Sequence, residues 1–502
     1  MWYNRANEHG KKSPFDPQRW GIPVEKIRKL GPQLEEHWQR FRGRFKSKTR
    51  DTSEHALAYL QGQMTMESDR NFAGIANSME KNDGQALQHF MSNSPWSGQG
   101  VFEQIRDEIQ EKPELHAEAD LILDEYADEK AGEKSAGAYR QYNGRLGKVD
   151  LCHVAVALGY ANWKLKPWPM WTMVDSEIFL PEAWFGAEYE TLRRKVGIPA
   201  ERKAFETKPE LGLKMIRRAK AAHLPFRAVL CDSLYGRSSQ FRHELREEQL
   251  LYMVDVPSNS RLYLEQPVVG IPEPQPRQRG RRAEKAQVLN GVRSYNVKQV
   301  GQAEDTHWQR LHIRSNERGV LEDRFAARRV WIWDEKEPKI APHQEWLAMR
   351  IESDGDRTYA LSNAPEDAAL QFLAELLCGR YFVERVIQDS KDEIGADEFQ
   401  AQKYQAWNHH IALTACALWF IAITKLDWAK DCQRDPELAQ QLELEALPAL
   451  STANVRELLR AVMPLPQLSP EEAQAQVVKH LVNRSRSTAS RLRKQRKAAH
   501  QT

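Results

Sequence analysis

The sequence predicts an α/β fold: a mixed five-stranded sheet with flanking helices, interrupted by a β-rich insertion and bounded by helical N-terminal and C-terminal regions. Three observations favour this fold. Several runs alternate bulky and small residues and lead into a strand–helix–strand succession. Strand-like runs between polar, proline-containing loops then fill residues 257–363, and helical periodicity resumes at Glu366.

These changes of pattern divide the chain into five regions. Residues 1–118 form a helical N-terminal region, and residues 119–256 form the first part of the core sheet. The β-rich insertion covers 257–363. The second part of the core, 364–425, contains a helix with an unusual set of charges. Residues 426–502 form a helical C-terminal region that ends in a basic tail.

Composition and charge exclude several classes of protein. Lys and Arg total 73 against 70 for Asp and Glu, so the net charge of +3 indicates no partner by itself. The five cysteines are scattered without a CxxC pair, which argues against a zinc site or a disulfide framework and favours a reducing cytoplasm. The N-terminus lacks the apolar segment of a secretion signal, and the apolar run at 411–424 is too short to cross a bilayer. We therefore expect a cytoplasmic protein with a central buried helix and no membrane contact.

A cluster of alternating basic and aromatic residues marks the N-terminal helical region. Trp38, Phe41 and Phe45 alternate there with basic residues that include Arg40, Arg42 and Arg44. Two interpretations stay open: an exposed basic face whose aromatic rings pack inward, or a nucleic-acid-binding surface.

Two further basic segments occur along the chain. One loop of the insertion, 277–285, contains Arg279, Arg281 and Arg282. The tail at 479–500 carries eight Lys or Arg residues, Arg493 and Lys494 among them, and no acid. Such a tail is most often disordered, and we expect the basic segments to contact polyanions.

The core elements follow one another with distinct periods. We predict an antiparallel meander of three strands, then helix, strand, short helix and strand. Further strands are predicted in the insertion. The predicted core ranges, in order, are 119–124, 149–160, 171–180, 209–222, 226–232, 240–249 and 250–256. The insertion strands are predicted at 288–300, 308–314, 326–333, 346–351 and 358–361.

The segment 371–399 has the period of a helix with charges on its apolar side. At about 100° per residue, Arg380, Glu384 and Lys391 fall in one wedge with apolar residues such as Leu377 and Ile394. Buried charges are costly unless they are paired or bind a metal. One interpretation is a helix with internal salt bridges; the other is a ligand site.

Two other acids favour the ligand site. Asp124 is predicted to end one buried strand and Asp232 another, at the sheet edge where α/β proteins often bind ligands. A single aspartate in such a position is more often a turn former, and Glu125 competes with Asp124 for the role, as do Asp128 and Glu129. Two aspartates and Glu384 would offer oxygen ligands suited to two Mg²⁺ ions, with Mn²⁺ as a substitute. Two such ions can promote phosphodiester cleavage, with Arg380 and Lys391 facing phosphates.

The sequence resembles a known family, the DDE transposases of bacterial insertion sequences. The first-aspartate block of the family is similar to LILDEYADEKAGEKSAGAYRQYNGRLGKVDLCHVAVALGYA. The second-aspartate block is similar to TKPELGLKMIRRAKAAHLPFRAVLCDSLYG, and the glutamate block is similar to GRYFVERVIQDSKDEIGADEF. The resemblance covers residues from about 56 to 425. Arg380, Glu384 and Lys391 match the Tyr-x2-Arg-x3-Glu-x6-Lys signature of one branch, but Leu377 replaces its tyrosine.

The resemblance implies a fold, a reaction and partners. The fold would be an RNase H-like core interrupted by a β insertion, with Asp124, Asp232 and Glu384 as catalytic metal ligands. The enzyme would bind the terminal inverted repeats of a mobile element as double-stranded DNA, cut the ends and join them to target DNA. A hairpin intermediate, a homodimer in the paired-end complex and association with the bacterial nucleoid are further implications. Two alternatives stay open: a nuclease on the same fold without strand transfer, and a non-catalytic DNA-binding protein.

Three other residues with reactive side chains are assigned structural roles. His409 and His410 begin the predicted central helix on different faces, so at most one of them could reach a site. Cys231 precedes Asp232 without an apparent base nearby, and we expect it to be a buried strand residue.

Overall fold

The computed structural model describes residues 13–463, except 23, 47–49, 79–83, 203, 274–282, 317–318 and 445. Six α-helices come first, as the helical pattern predicts. The last of them begins at the N-cap Ser97, whose hydroxyl accepts a hydrogen bond from the Gly100 amide. The bounds are α1 Val24–Arg28, α2 Leu30–Phe41, α3 Ser53–Thr65, α4 Phe72–Ser78, α5 Gly84–Ser92 and α6 Gly98–Gln110.

The first four strands form an antiparallel arrangement. The predicted meander is confirmed, because β3 pairs with β1 on one side and with β4 on the other. A hairpin between β2 and β3 was not predicted. The bounds are β1 Asp120–Glu129, β2 Tyr139–Asn143, β3 Lys148–Asn162 and β4 Met170–Phe179.

Two parallel strands complete the core sheet. β5 runs parallel to β1, and β6 runs parallel to β5, which gives the order β4–β3–β1–β5–β6. The crossover helix α8 begins in a capping box of Thr207 and Glu210. The bounds are α7 Glu190–Val196, α8 Lys208–Ala221, β5 Val229–Cys231, α9 Ser233–Gly236, α10 Ser239–Glu247 and β6 Tyr252–Asp255.

The β-rich insertion extends the same sheet. Its last strand, β14, pairs antiparallel with β6, so core and insertion share one 12-stranded sheet. The predicted strand at 288–300 is wrong in part: Asn296 and Gln299 form a capping box that starts a helix at Val297. The bounds are β7 Arg261–Tyr263, β8 Val269–Gly270, β9 Gln287–Val288, β10 Ser294–Asn296, α11 Val297–Gly301, β11 Gln309–Asn316, β12 Gly319–Ile332, β13 His343–Ile351 and β14 Arg357–Ser362.

The segment 371–399 is not one continuous helix. It comprises α12, α13 and a π-helical turn, Asp389–Glu393. The break at Arg380 and the π turn shift the phase of the apolar side, and the buried side of α13 consists of Phe382, Val383 and Val386. Glu384 is therefore exposed, and its predicted place on the core-facing side is wrong. The bounds are α12 Leu370–Gly379, α13 Tyr381–Gln388, α14 Tyr404–Lys430, α15 Glu437–Gln441 and α16 Thr452–Val462.

The long helix α14 lies in the interior, as predicted for the central apolar run. Among the described residues it alone is long and apolar enough to cross a membrane, but 94% of its most apolar window is buried inside the protein. It packs against α3, α5, α6 and the strand β4. The helices of the N-terminal region thus share a core with the first strands of the sheet.

Candidate metal centre

The register of three parallel strands brings three aspartates to one edge. Leu123 of β1 pairs with Cys231 of β5, and Cys231 pairs with Val254 of β6. The residue that follows each of them is an aspartate: Asp124, Asp232 and Asp255.

Asp124 does not end its strand, which corrects the prediction. β1 continues to Glu129 because β3 remains its partner, with Glu129 opposite Cys152. Its other neighbour, β5, ends at Cys231. Asp124 therefore borders the gap that opens where β5 stops.

A carboxylate cluster forms at this gap. Asp232 caps the short helix α9 and accepts a hydrogen bond from the Leu234 amide at 3.0 Å. One carboxylate oxygen from each of Asp124, Glu125 and Asp232 lies within 4.8 Å of the other two. The structure therefore brings together the two predicted aspartates and adds Glu125.

Arg380 reaches the same edge from the break between α12 and α13. Its Nε lies 2.9 Å from Asp255 Oδ2, one Nη lies 3.8 Å from Asp124 Oδ2, and the other lies 3.4 Å from Glu384 Oε1. The preceding Gly379 permits this approach, because a Cβ there would lie 2.7 Å from Leu230 Cδ1.

Glu384 stays outside the carboxylate cluster. Its side chain is 55% exposed, and its one ion pair within the described residues is the contact with Arg380. The guanidinium of Arg380 thus stands between Glu384 and Asp124. The structure does not place all three predicted ligands around one point.

Lys391 lies along β1 rather than at the cluster. Its Nζ donates a hydrogen bond to the Ala127 carbonyl at 2.7 Å and sits 5.3 Å from the centre of the Tyr126 ring. Burial lowers the pKa of Lys391, although Asp397 and Asp128 oppose this change. Lys391 therefore contacts β1 at Ala127, three residues beyond Asp124.

The carboxylates of the cluster are not fully neutralised by the cations around them. Burial raises the pKa of Asp124 to about 7, and the charges of Asp232 and Glu125 add to the rise. Burial also raises the pKa of Asp255 to about 6 against the effect of Arg380. The pKa of Glu125 is raised by burial and lowered by Lys208, whose Nζ lies 3.0 Å away.

These groups fit a divalent cation. The ligand atoms are hard carboxylate oxygens, which Mg²⁺ and Mn²⁺ prefer. Glu125 Oε2 is buried and has no hydrogen-bond partner among the described residues. A buried oxygen in that state is costly, and a cation would satisfy it.

The arginines predicted to contact DNA have acidic partners within the protein. Arg40 pairs with the buried Glu108, Arg42 with Asp51, and Arg44 with Glu103. Their side chains are between 33% and 43% exposed. The aromatic rings of Trp38, Phe41 and Phe45 pack inward, as the first interpretation of this cluster predicts. Arg279, Arg281, Arg282, Arg493 and Lys494 lie outside the described residues.

The structural roles of the two histidines and of Cys231 are confirmed. His409 is buried with its ring nitrogens 2.9 Å and 2.8 Å from the carbonyls of Met91 and Trp96. His410 is buried against Tyr59 and the Gly395 carbonyl. Cys231 is fully buried in β5.

Asp255 was missed by the sequence interpretation, although a signal was present. It lies within the apolar run LLYMVDV, and a strand that ends in an aspartate is the same pattern that identified Asp232. Glu125 was considered only as a competitor of Asp124. Neighbouring residues on a strand point to opposite faces, and nothing in the sequence shows that both reach one gap.

The strand order and the acidic edge define a class, an RNase H-like fold of the kind that carries Asp-Asp-Glu sites. The model of a family described as DDE superfamily endonuclease matches residues 40–320, more than half of the 502-residue chain. The chain belongs to this family. The matched range includes Asp124 and Asp232 and ends before Glu384.

A curated relative indicates a narrower group. Over 190 residues the chain is 30% identical to a protein of Microchaete diplosiphon named "Probable transposase for insertion sequence element IS701". The aligned part covers 37% of this chain and 44% of that protein. The chain therefore matches less than half the length of this relative.

Proposed function

We propose that this protein is a transposase that cleaves the ends of a mobile element and joins them to target DNA. The observation that carries the proposal is the carboxylate cluster of Asp124, Glu125 and Asp232 at the gap beside β5. Family membership supports a metal-dependent endonuclease, and the named relative supports transposition.

Asp124 and Asp232 would hold Mg²⁺, with Glu384 as a further ligand. Bound as a pair, such ions lower the pKa of an attacking water or 3′-hydroxyl and stabilise the leaving oxygen. The protein itself positions the DNA strand at the gap. Mn²⁺ would serve in place of Mg²⁺, since both favour oxygen ligands.

Arg380 would change partners when DNA binds. In the structure it pairs with Asp124, Asp255 and Glu384. Cations bound by these carboxylates would replace that charge and leave the guanidinium to a phosphate, for which its fork of donors is suited. Glu384 would then approach the cluster without an arginine between them. Lys391, which contacts β1 at Ala127, would contact the next phosphates.

The proposal includes double-stranded DNA at the terminal repeats, a homodimer in the paired-end complex and a cytoplasmic, nucleoid-associated protein. A hairpin intermediate at the element ends is part of the same proposal. Arg40, Arg42 and Arg44 in the N-terminal region, and the basic segments with Arg279, Arg281, Arg282, Arg493 and Lys494, would contact DNA along its length. Each would add an electrostatic, salt-sensitive contribution.

A cleavage assay tests this function. Linear DNA that carries the ends of the element is incubated with Mg²⁺ and wild-type protein, Asp232→Asn or Glu384→Gln. Matched controls are Asp367→Asn and Glu366→Gln, two exposed neighbours before α12. We expect wild type and both controls to cut and both site variants to fail. Cleavage by Asp232→Asn and Glu384→Gln at the wild-type rate would contradict the site assignment.

A second assay separates a transposase from a nuclease. A precleaved end with a free 3′-hydroxyl is supplied with target DNA, and joined products are measured. We expect strand transfer that requires Asp232. Cutting without joining would favour the nuclease, and binding without any nicking in Mg²⁺ or Mn²⁺ would favour a non-catalytic DNA-binding protein.

A further inference from the structure

We propose that Glu125 is a metal ligand in the DNA-free protein and that the Tyr235 hydroxyl positions its carboxylate. The inference rests on the proposed divalent-cation site and adds residues to it. Its basis is the juxtaposition of Glu125, Asp124 and Asp232 within 4.8 Å, with a fully buried tyrosine beside them.

Glu125 approaches the gap from the side of the sheet opposite α13. Leu121 and Leu123, which share its side of β1, belong to the core beneath α8, whereas Ile122 packs in the core beneath α12 and α13. Asp124 lies on the latter side, with Arg380. A cation at the gap can therefore contact Glu125 without displacing Arg380. Arg380 does stand between the cluster and Glu384.

The two carboxylate oxygens of Glu125 differ in their partners. Oε1 pairs with Lys208 Nζ at 3.0 Å, at the start of α8. Oε2 is buried without a hydrogen-bond partner among the described residues. The lysine fixes the orientation of the carboxylate, and the second oxygen remains available to a cation.

Tyr235 supplies an independent observation at the same place. It is 0% exposed, and its hydroxyl makes no hydrogen bond of good geometry among the described residues, but it acts on Glu125 as a donor and lowers the pKa of that carboxyl against the effect of burial. The charges of Glu125, Asp124 and Asp232 all act on it and, with burial as the main cause, raise the pKa of its hydroxyl. A buried donor so close to three carboxylates can donate a hydrogen bond to a ligand oxygen or to a water bound with the cation.

The packing around Tyr235 is close enough to hold it in place. Gly212 of α8 faces both Leu123 and the tyrosine ring: a Cβ at Gly212 would lie 2.4 Å from Leu123 Cδ2 and 3.3 Å from Tyr235 Cε1. The absence of a side chain thus lets α8 lie against β1. Lys208, one turn earlier on this helix, is carried to Glu125 by the same approach.

The test is titration of the full chain, free of DNA, with Mn²⁺ by calorimetry and by the electron paramagnetic resonance signal of free Mn²⁺. We expect Glu125→Gln to weaken Mn²⁺ binding by at least about tenfold, and Tyr235→Phe, which removes a supporting donor, by about tenfold. Glu125→Asp, which keeps the carboxylate, should fall between wild type and Glu125→Gln. Lys208→Met should tighten binding, because it removes the cation that competes for Glu125.

Controls separate this inference from the proposed function. Tyr252→Phe removes another buried hydroxyl, one that faces Glu345 instead of the cluster, and should leave Mn²⁺ affinity unchanged. Asp232→Asn should abolish binding. If Asp232→Asn lost Mn²⁺ binding while Glu125→Gln kept full affinity, the result would overturn the role of Glu125 and leave the metal centre standing. Full affinity in Asp232→Asn, or no Mn²⁺ binding by wild type, would overturn the metal centre itself.

Discussion

Two groups of buried or half-buried carboxylates at the sheet differ in the number of cations around them. In β4, Asp175 pairs with Arg106 and Arg218, and Glu177 pairs with Arg202, Lys214 and Arg218. Glu206 shares Arg202 and Lys214, which gives four cations for three acids. At the gap beside β5, four acids have only Arg380 and Lys208 as ion-pair partners within the described residues: Asp124, Glu125, Asp232 and Asp255.

The difference separates a structural network from a ligand site. Buried charges need compensation, and the β4 group has it within the protein. The group at the gap has fewer cations than acids, and burial together with the charges of Asp232 and Glu125 raises the pKa of Asp124 there. A divalent cation would supply the missing positive charge, so the deficit itself favours a binding role.

The largest expected effect is on activity at the gap. Asp232→Asn should lower DNA cleavage on the order of 10³-fold, since metal ions supply several kcal/mol of transition-state stabilisation. Its thermal unfolding without metal should be no less cooperative than that of wild type. The check is the rate of cleavage of end-bearing DNA with Mg²⁺. An unchanged rate in Asp232→Asn would contradict the claim that the group at the gap is a ligand site.

The next largest effect is on stability at the β4 group. Asp175→Asn removes a fully buried carboxylate from this network and leaves Arg106 and Arg218 less compensated. We expect a loss of about 3 kcal/mol in the free energy of unfolding, measured by urea denaturation. Mn²⁺ affinity of the folded fraction should not change. A variant as stable as wild type would show that this network is not the structural counterpart we describe.

The pH dependence of stability should also distinguish the groups. Because the pKa of Asp124 is raised from 3.8 to about 7, the native state retains a proton that the unfolded chain has lost between these values. Metal-free stability should therefore fall as the pH rises from about 4 to about 7, by on the order of 1–3 kcal/mol from this group. Asp124→Asn should flatten the profile and raise the Tm at pH 8 in EDTA. If Asp124→Asn kept the pH dependence of stability of the wild type, the result would contradict an under-compensated Asp124.

The smallest effect concerns an arginine that is already paired. Arg42 bonds to Asp51 at the surface, and a phosphate would have to replace that partner. If Arg42 contacts DNA as proposed, Arg42→Gln should reduce the slope of log affinity against log salt concentration by about one. Arg194→Gln, an exposed arginine of α7 paired with Glu190, serves as the matched control. An unchanged slope in Arg42→Gln would show that Arg42 makes no contact with DNA phosphates.

The sequence predicted those parts of the fold and site that depend on local patterns. Apolar runs with a following carboxylate gave β5 and Asp232, and alternation gave β3 and β4. Helical periodicity gave α8 and the buried α14. The family resemblance, which the family model supports, added the RNase H-like order of strands.

The remaining features depend on contacts between distant residues. Arg380 meets Asp255 and Asp124 where Gly379 packs closely on Leu230, and no local period shows this contact. Asp124 appeared to end its strand because the apolar run stops there, while pairing with β3 extends β1 to Glu129. Arg40 finds its partner Glu108 across 68 positions of the chain. Such pairings are set by tertiary packing, which a single sequence does not reveal.

The most direct test of the central claim is to map the bound ion on the polypeptide. Fe²⁺ replaces Mg²⁺ at oxygen-rich sites, and with ascorbate and peroxide it generates radicals that cut the backbone nearby. We predict the strongest cuts around residues 124 and 232, weaker cuts at Asp175 and Glu177 two strands away, and loss of the cuts in Asp232→Asn. Folded protein that is cut most strongly elsewhere, or cut identically in Asp232→Asn, would contradict the claim that the under-compensated carboxylates form the metal centre.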